Sequence, residues 1–320
     1  MKVQIYGAGI GGSFLYHLLN KEGFEVKIFE RRKAPSCHCA WGINKKSKKL
    51  YRKISVSLDE FVISKPEYAV VNNKIWVRCR DFVIFDRVKL LSFLWKEMNF
   101  GKVERPEVVI DATGTERAVL PKINQDSLWP TFQKRVRAKN LEENVYITLG
   151  KTGYGWIFPL SEREFHIGAG ARDKGEALSL LSTLEKTFKP EVVREICSCV
   201  SRVRMLSPAR CRPIARKNIY GIGEAVGCVN SLGEGNYPSL KSAWIFYTCL
   251  ANGKLKEYEK ILLRKMKDIH LHQEFLSNLI EGKLAHALIY FLLSLFTPAE
   301  SFFYAGAELL RIYKNFCRNP

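Results

Sequence analysis

The chain has no apolar run long enough to cross a bilayer. Its best stretch, residues 287–296, stops at Thr297-Pro298 and suits a buried or interfacial helix. The opening residues Met1-Lys2-Val3-Gln4-Ile5-Tyr6 lack the charged and apolar regions of a secretion signal. The expected location is therefore the cytoplasm, with at most peripheral contact at a membrane surface. Zinc-ligand spacing is missing as well. Cys37-x-Cys39 and Cys197-x-Cys199 match neither finger nor ribbon, and His270 and His272 lack the glutamate of a zincin helix, so no metal is expected. Nine cysteines are an odd count in a chain of 320 residues, far too long to need a disulfide scaffold, and read as mostly free thiols of a reducing compartment. Proline (12) and glycine (22) are too sparse for a collagen-like or low-complexity chain. Acidic residues are the clearest shortage: 32 Asp+Glu face 51 Lys+Arg, a net charge of +19. That excess favours anionic partners such as a phosphate-bearing cofactor or an anionic membrane surface. No nucleic-acid-binding module is visible, so nucleic acid is not an expected partner.

What is present begins with a β-α-β unit. Val3-Gln4-Ile5-Tyr6 reads as a buried strand, Gly7-Ala8-Gly9-Ile10-Gly11-Gly12 as a tight turn, and residues 13–22 as a helix with Phe14, Leu15, Leu18 and Leu19 on one face. A second strand, residues 25–30, ends in Glu30. This context turns a bare glycine pattern into a dinucleotide-binding fingerprint. Gly7 allows the turn, Gly9 admits a pyrophosphate to the backbone, Gly12 lets helix and strand pack closely, and the helix N-terminus attracts the anion. Glu30, with Arg31 beside it, is placed to bind an adenosine ribose, and its charge favours FAD or NAD over NADP. Residues 108–111 form another buried strand, ending in a turn at Ala112-Thr113-Gly114.

Residues 35–53 read as irregular and basic. Three short alternating segments over residues 68–85 read as strands, with Asn72-Asn73 as a hairpin turn. Asp86 is a helix cap, with the helix running to about Met98. Residues 136–171 are strand-rich. Helices are expected over residues 176–188, 191–199, 255–279, 284–296 and 298–316, and from Pro238. Near residue 219 a late strand enters a second small-residue stretch, Gly223-Glu224-Ala225-Val226-Gly227, followed by Gly233-Glu234-Gly235 and a helix start. A nicotinamide fold has no need of a second such turn, whereas the ribityl chain and ring of a flavin extend to a second helix N-terminus.

These residues resemble the geranylgeranyl reductase family. Residues 223–235 resemble its second FAD motif, with Glu224 where the family usually has aspartate. Gly153-Tyr154-Gly155-Trp156-Ile157-Phe158-Pro159 resembles its YxWxFP motif, Asp86-Arg87 its DR segment, and Cys37-His38-Cys39-Ala40-Trp41-Gly42 its cysteine-containing loop near the flavin ring. The resemblance covers most of residues 1–252. It implies a para-hydroxybenzoate-hydroxylase-like α/β fold: a Rossmann-like FAD-binding domain (1–115 and 205–252), an inserted antiparallel-sheet substrate domain (116–204, with strands from 66–85) and C-terminal helices (253–320). It also implies FAD held by Gly7, Gly9, Gly12, Glu30, Arg31, Arg87, Gly114, Gly223, Glu224, Gly227, Gly233 and Gly235. The reaction it implies is reduction of carbon–carbon double bonds in an isoprenoid lipid or prenyl diphosphate, with electrons from NAD(P)H or a ferredoxin-like donor.

Alkene reduction needs an apolar pocket, a hydride source and a proton donor. Tyr154, Trp156 and Phe158 alternate on a strand and so share one face. Aromatic faces are commonly plain core, but the flanking Gly153, Gly155 and Pro159 suit a pocket wall. Cys37, Cys39 and Tyr154 are the candidate proton donors. Two other readings share these residues: a flavin monooxygenase-like oxidoreductase on the same fold, and a non-catalytic protein that binds FAD or lipid.

Overall fold

The computed structural model describes residues 1–37 and 40–295. His38, Cys39 and the helix expected over residues 298–316 lie outside the described residues. In chain order the elements are β1 (Lys2–Tyr6), α1 (Ile10–Lys21), β2 (Glu25–Phe29), β3 (Gly42–Asn44), α2 (Ser47–Tyr51), β4 (Val62–Ser64), β5 (Tyr68–Val71), β6 (Ile75–Arg78), β7 (Phe82–Phe85), α3 (Arg87–Trp95) and β8 (Val108–Asp111). There follow β9 (Leu128–Ala138), β10 (Val145–Leu149), β11 (Tyr154–Pro159), β12 (Glu164–Gly170), α4 (Lys174–Phe188), β13 (Val192–Arg204), β14 (Ala215–Arg216) and β15 (Ile219–Gly221). Four helices close the described chain: α5 (Asn236–Ala251), α6 (Tyr258–Lys265), α7 (Lys267–Ile280) and α8 (Leu284–Leu295).

The first sheet runs β14-β15-β8-β1-β2. β1 is parallel to both β2 and β8, and β15 is parallel to β8. Val3 and Ile5 are fully buried in it, and Phe14, Leu15 and Leu19 bury the apolar stripe of α1 in the same core as Leu240, Ala243 and Phe246 of α5. This is a Rossmann-like arrangement, with the glycine turn at the C-terminal end of the central strand.

The second sheet runs β13-β9-β12-β11-β10-β5-β6 and is antiparallel except between β10 and β5. The hairpin at Asn72 and Asn73 forms as expected, both residues having positive φ. β7 joins β3 and β4 in a small third sheet instead. Alternation along β11 divides the second sheet's faces. Ile157 packs with Leu184 of α4, Val136, Phe165 and Ile167 on one side; Trp156 and Phe158 pack with Trp41, Phe82 and Ile147 on the other.

The structure corrects several readings. Residues 191–199 are not helical: from Val192 on they belong to β13, which is rich in β-branched residues and pairs with β9 from Val192 to Arg204. The helix expected over residues 255–279 is divided into a 3-10 turn, α6 and α7, with the break at Met266. The irregular basic segment contains β3 and α2, and α5 starts at Asn236 rather than Pro238. α3 ends at Trp95, and its cap forms as read, Asp86 Oδ1 accepting from Lys89 N at 2.8 Å. Among the described residues no helix is long and apolar enough to cross a membrane. The α8 residues Leu284, Leu288, Ile289, Leu292 and Leu293 are exposed.

Candidate functional site

A cavity of about 1100 Å³ runs from the glycine turn, between the two large sheets, to α7. At its first end Gly7 has φ +97°, and a Cβ there would stand 2.4 Å from Ala112 O. A Cβ at Gly12 would stand 2.0 Å from Gly7 O, so helix and strand touch through that glycine. Gly9 differs: a Cβ there meets nothing within 4 Å. It caps α1 without a side-chain hydrogen bond, so the first N–H groups of the helix are left for a ligand.

Glu30 borders this end, but its carboxylate already has partners. It accepts from Ala8 N at 2.9 Å, Arg32 N at 3.0 Å, Arg32 Nε at 3.0 Å and Arg32 Nη2 at 3.1 Å. Burial alone would raise its pKa; these hydrogen bonds and the Arg32 charge win and hold it at about 2, against an ordinary value of 4.5. The carboxylate ties the end of β2 to the glycine turn, and Arg31 beside it borders the cavity. A depressed carboxyl pKa adds stability that is complete above the unfolded-state value and is lost as pH falls toward 2. Glu30→Gln should therefore flatten the acid limb of stability below about pH 4.5. Urea midpoints measured across that range check it, and an unchanged acid limb would contradict the assignment.

Further along, Arg87 and Gly114 both border the cavity, and Arg87 Nη1 donates to Ser36 O at 3.1 Å. Gly223 and Glu224 border it from the other side. Glu224 is half-buried, loss of solvent pushes its pKa up, and Oε1 accepts from Arg204 N at 2.7 Å. Gly233 and Gly235 border the cavity where α5 begins. Gly227 does not border it. It has φ +73°, and a Cβ would strike Leu206 O at 2.2 Å, so this glycine serves the turn itself.

Tyr154, Trp156 and Phe158 form one wall. The Tyr154 and Trp156 rings lie 5.6 Å apart, Trp156 Nε1 donates to Gln133 Oε1 at 3.2 Å, and the Tyr154 hydroxyl donates to Leu232 O. Phe275, Leu276, Leu279 and Ile280 of α7 add an apolar lining, where the expected helix over residues 255–279 carried no site reading. Cys37 is not among the residues bordering the cavity. The hydrogen bond to Cys199, and then burial, push its pKa up to about 12 against the pull of His166 Nε2, which lies 3.6 Å from the thiol. Among the described residues no group of three or more acidic, histidine or cysteine side chains is placed to hold a metal ion.

Two charged groups were missed as site residues. Glu234 borders the cavity and accepts from Tyr237 N at 2.7 Å; burial raises its pKa to about 7 against the pull of the Tyr237 and Asn236 N–H groups. An acidic residue just before a helix start is the signal that was available. Arg204, 1% exposed, holds the Gly114 and Glu224 turns together and had no signal within its strand.

Residues 5–48 match the model of NAD(P)-binding Rossmann-like domains. An uncharacterized protein of Methanocaldococcus jannaschii is 24% identical over 339 residues, covering 87% of this chain and 92% of that protein. Solved structures share the fold at low identity. A geranylgeranyl bacteriochlorophyll reductase-like protein from Thermoplasma acidophilum superposes with TM-score 0.72 at 16% identity, covering 99% of this chain and 95% of that one. A flavoprotein/dehydrogenase from Cytophaga hutchinsonii gives 0.69 at 14%, covering 94% of both. PqsL of Pseudomonas aeruginosa, a probable FAD-dependent monooxygenase, gives 0.68 at 14%, covering 91% and 99%.

Proposed function

We propose that the cavity binds FAD and that the protein is an FAD-dependent oxidoreductase reducing carbon–carbon double bonds of an isoprenoid chain. One observation carries the reading: a single continuous cavity joins an open Gly9 and the α1 N-terminus to the α5 N-terminus, then ends between two apolar walls. The polar end has the chemistry for a dinucleotide, and the apolar end suits a hydrocarbon. The solved structures named above support the flavin part of this reading.

In this proposal the α1 N-terminus and Gly9 receive the pyrophosphate, Glu30 and Arg31 border the adenosine, and Arg87, Gly114 and Glu224 border the ribityl chain. The turn at Gly233 and Gly235 faces the ring. Bound flavin supplies the hydride. Tyr154, Trp156 and Phe158, with Phe275, Leu276 and Leu279, hold the prenyl chain and exclude water. Tyr154 carries the hydroxyl on that wall and is the proton donor within reach of it, whereas Cys37 does not border the cavity. The +19 charge suits a diphosphate or anionic headgroup on the substrate.

Purified protein should be yellow, and after anaerobic reduction it should be reoxidised by a geranylgeranyl lipid or diphosphate. A flavoprotein that instead hydroxylates its ligand in air would be a monooxygenase, and one reoxidised by no prenyl compound would not be a reductase. Trp156→Ala should keep its flavin yet lose about 10–100-fold in kcat/KM for long prenyl chains, the scale of one to three kcal/mol of apolar contact. Short chains should lose less. Stopped-flow reoxidation with a chain-length series checks this, and an equal loss at every length would remove Trp156 from the channel.

A further inference from the structure

Beside the cavity lies a cluster of thiols that the proposed reaction does not use. Strand register puts His166, Arg135 and Cys197 in one cross-strand row, and Gly168, Gln133 and Cys199 in the next row of the same face. Cys37, from the loop after β2, is seated over these rows. Its Sγ lies 3.6 Å from His166 Nε2 and 3.9 Å from Gln133 Nε2, and it interacts with the thiols of both Cys199, which borders the cavity, and Cys197. His166 is fully buried, and its Nδ1 has no hydrogen-bond partner among the described residues. Cys199 is half-buried and borders the cavity, whereas Cys37 is half-buried and does not.

We propose that Cys37 and Cys199 form a redox-active dithiol that reacts with low-molecular-weight disulfides. The Cys199 thiolate, reachable from the cavity, attacks one sulfur of the small disulfide. That S–S bond breaks, one small thiolate leaves, and Cys199 carries a mixed disulfide. Cys37 then gives its proton to His166 Nε2 and attacks the Cys199 sulfur, releasing the second small thiolate. Two protein thiols are oxidised to one disulfide, the small disulfide is reduced to two thiols, and the two protein protons end on the released thiols. The order follows from access, since Cys199 borders the cavity and Cys37 does not. Cys37 holds its proton tightly and is a poor first nucleophile, but it touches the sulfur it has to attack, so the second step is intramolecular. This assignment does not depend on flavin binding.

The test uses the full chain incubated with oxidised glutathione, with thiols counted by alkylation after denaturation. The count should fall from the nine of the reduced chain to seven, and dithiothreitol should restore it. Peptide mapping should find Cys37 joined to Cys199 within one chain, and Cys197→Ser should leave that link intact. Cys37→Ser should stop at glutathione on Cys199, while Cys199→Ser should leave Cys37 unmodified. An unchanged thiol count, a link from Cys37 to Cys197 or Cys39, or a link between two chains would overturn the proposal.

Discussion

Gly9→Val should purify as a folded, colourless protein. Gly9 sits at φ −73° and ψ −169°, an extended conformation open to any residue, and a Cβ there meets nothing within 4 Å. Valine is a poor helix cap, so the fold should lose at most about 1 kcal/mol. The side chain would fill the space in front of the first N–H groups of α1, where the pyrophosphate belongs. Losing two charge-assisted hydrogen bonds there costs about 3–6 kcal/mol, or roughly 10²–10⁴-fold in flavin affinity. Gly12→Val is the contrasting variant: its Cβ would begin 2.0 Å from Gly7 O, so it should damage the fold itself. Visible spectra give the flavin content. Urea midpoints compared on flavin-free samples separate stability from ligand linkage. A yellow Gly9→Val with full flavin content would place the dinucleotide elsewhere.

The parts of this site readable in the sequence are those where local pattern and contact coincide. The glycine turn sits between a period-2 and a period-3.6 segment, so strand, turn and helix all announce it. Tyr154, Trp156 and Phe158 could be put on one face by alternation alone, and they do share the cavity wall. What escaped depends on distant partners. Residues 191–199 were read as helix because their pairing with β9, more than fifty residues away in the chain, leaves no local signal. Glu30 was read as a ribose ligand; that its oxygens also accept from Ala8 N, 22 residues back, shows only in the folded chain. Gly227 resembled a cofactor glycine, yet its neighbour is Leu206 O, which only the folded chain brings near. The apolar residues of α7 signal a buried face; which cavity that face closes is decided by packing of the whole chain.

Arg204→Leu should be the most destabilising single change in the described core. The guanidinium is 1% exposed and uses all five of its N–H donors. Nε and Nη2 each reach Asp126 at 2.9 Å, Nη1 reaches Gly114 O at 3.1 Å and Glu224 O at 2.6 Å, and Nη2 also reaches Thr115 O at 2.7 Å. Leucine fills part of the volume but leaves three carbonyl groups and a carboxylate without these donors. Breaking such a pair from one side typically costs about 3–5 kcal/mol, because the partner left behind is desolvated and unpaired. Asp126, a quarter exposed, can turn to water, so Asp126→Asn should cost less, and the double variant less than the sum. Arg204→Lys should recover little, since an ammonium cannot span both turns and the carboxylate with one planar fork. The same guanidinium fixes Gly114 and Glu224, which border the cavity, so any Arg204→Leu protein that folds should also bind flavin more weakly than wild type. Urea unfolding at constant m gives the first quantity and flavin titration the second. A stability loss under about 1 kcal/mol would mean that water replaces the lost donors and that the two turns hold their positions without Arg204.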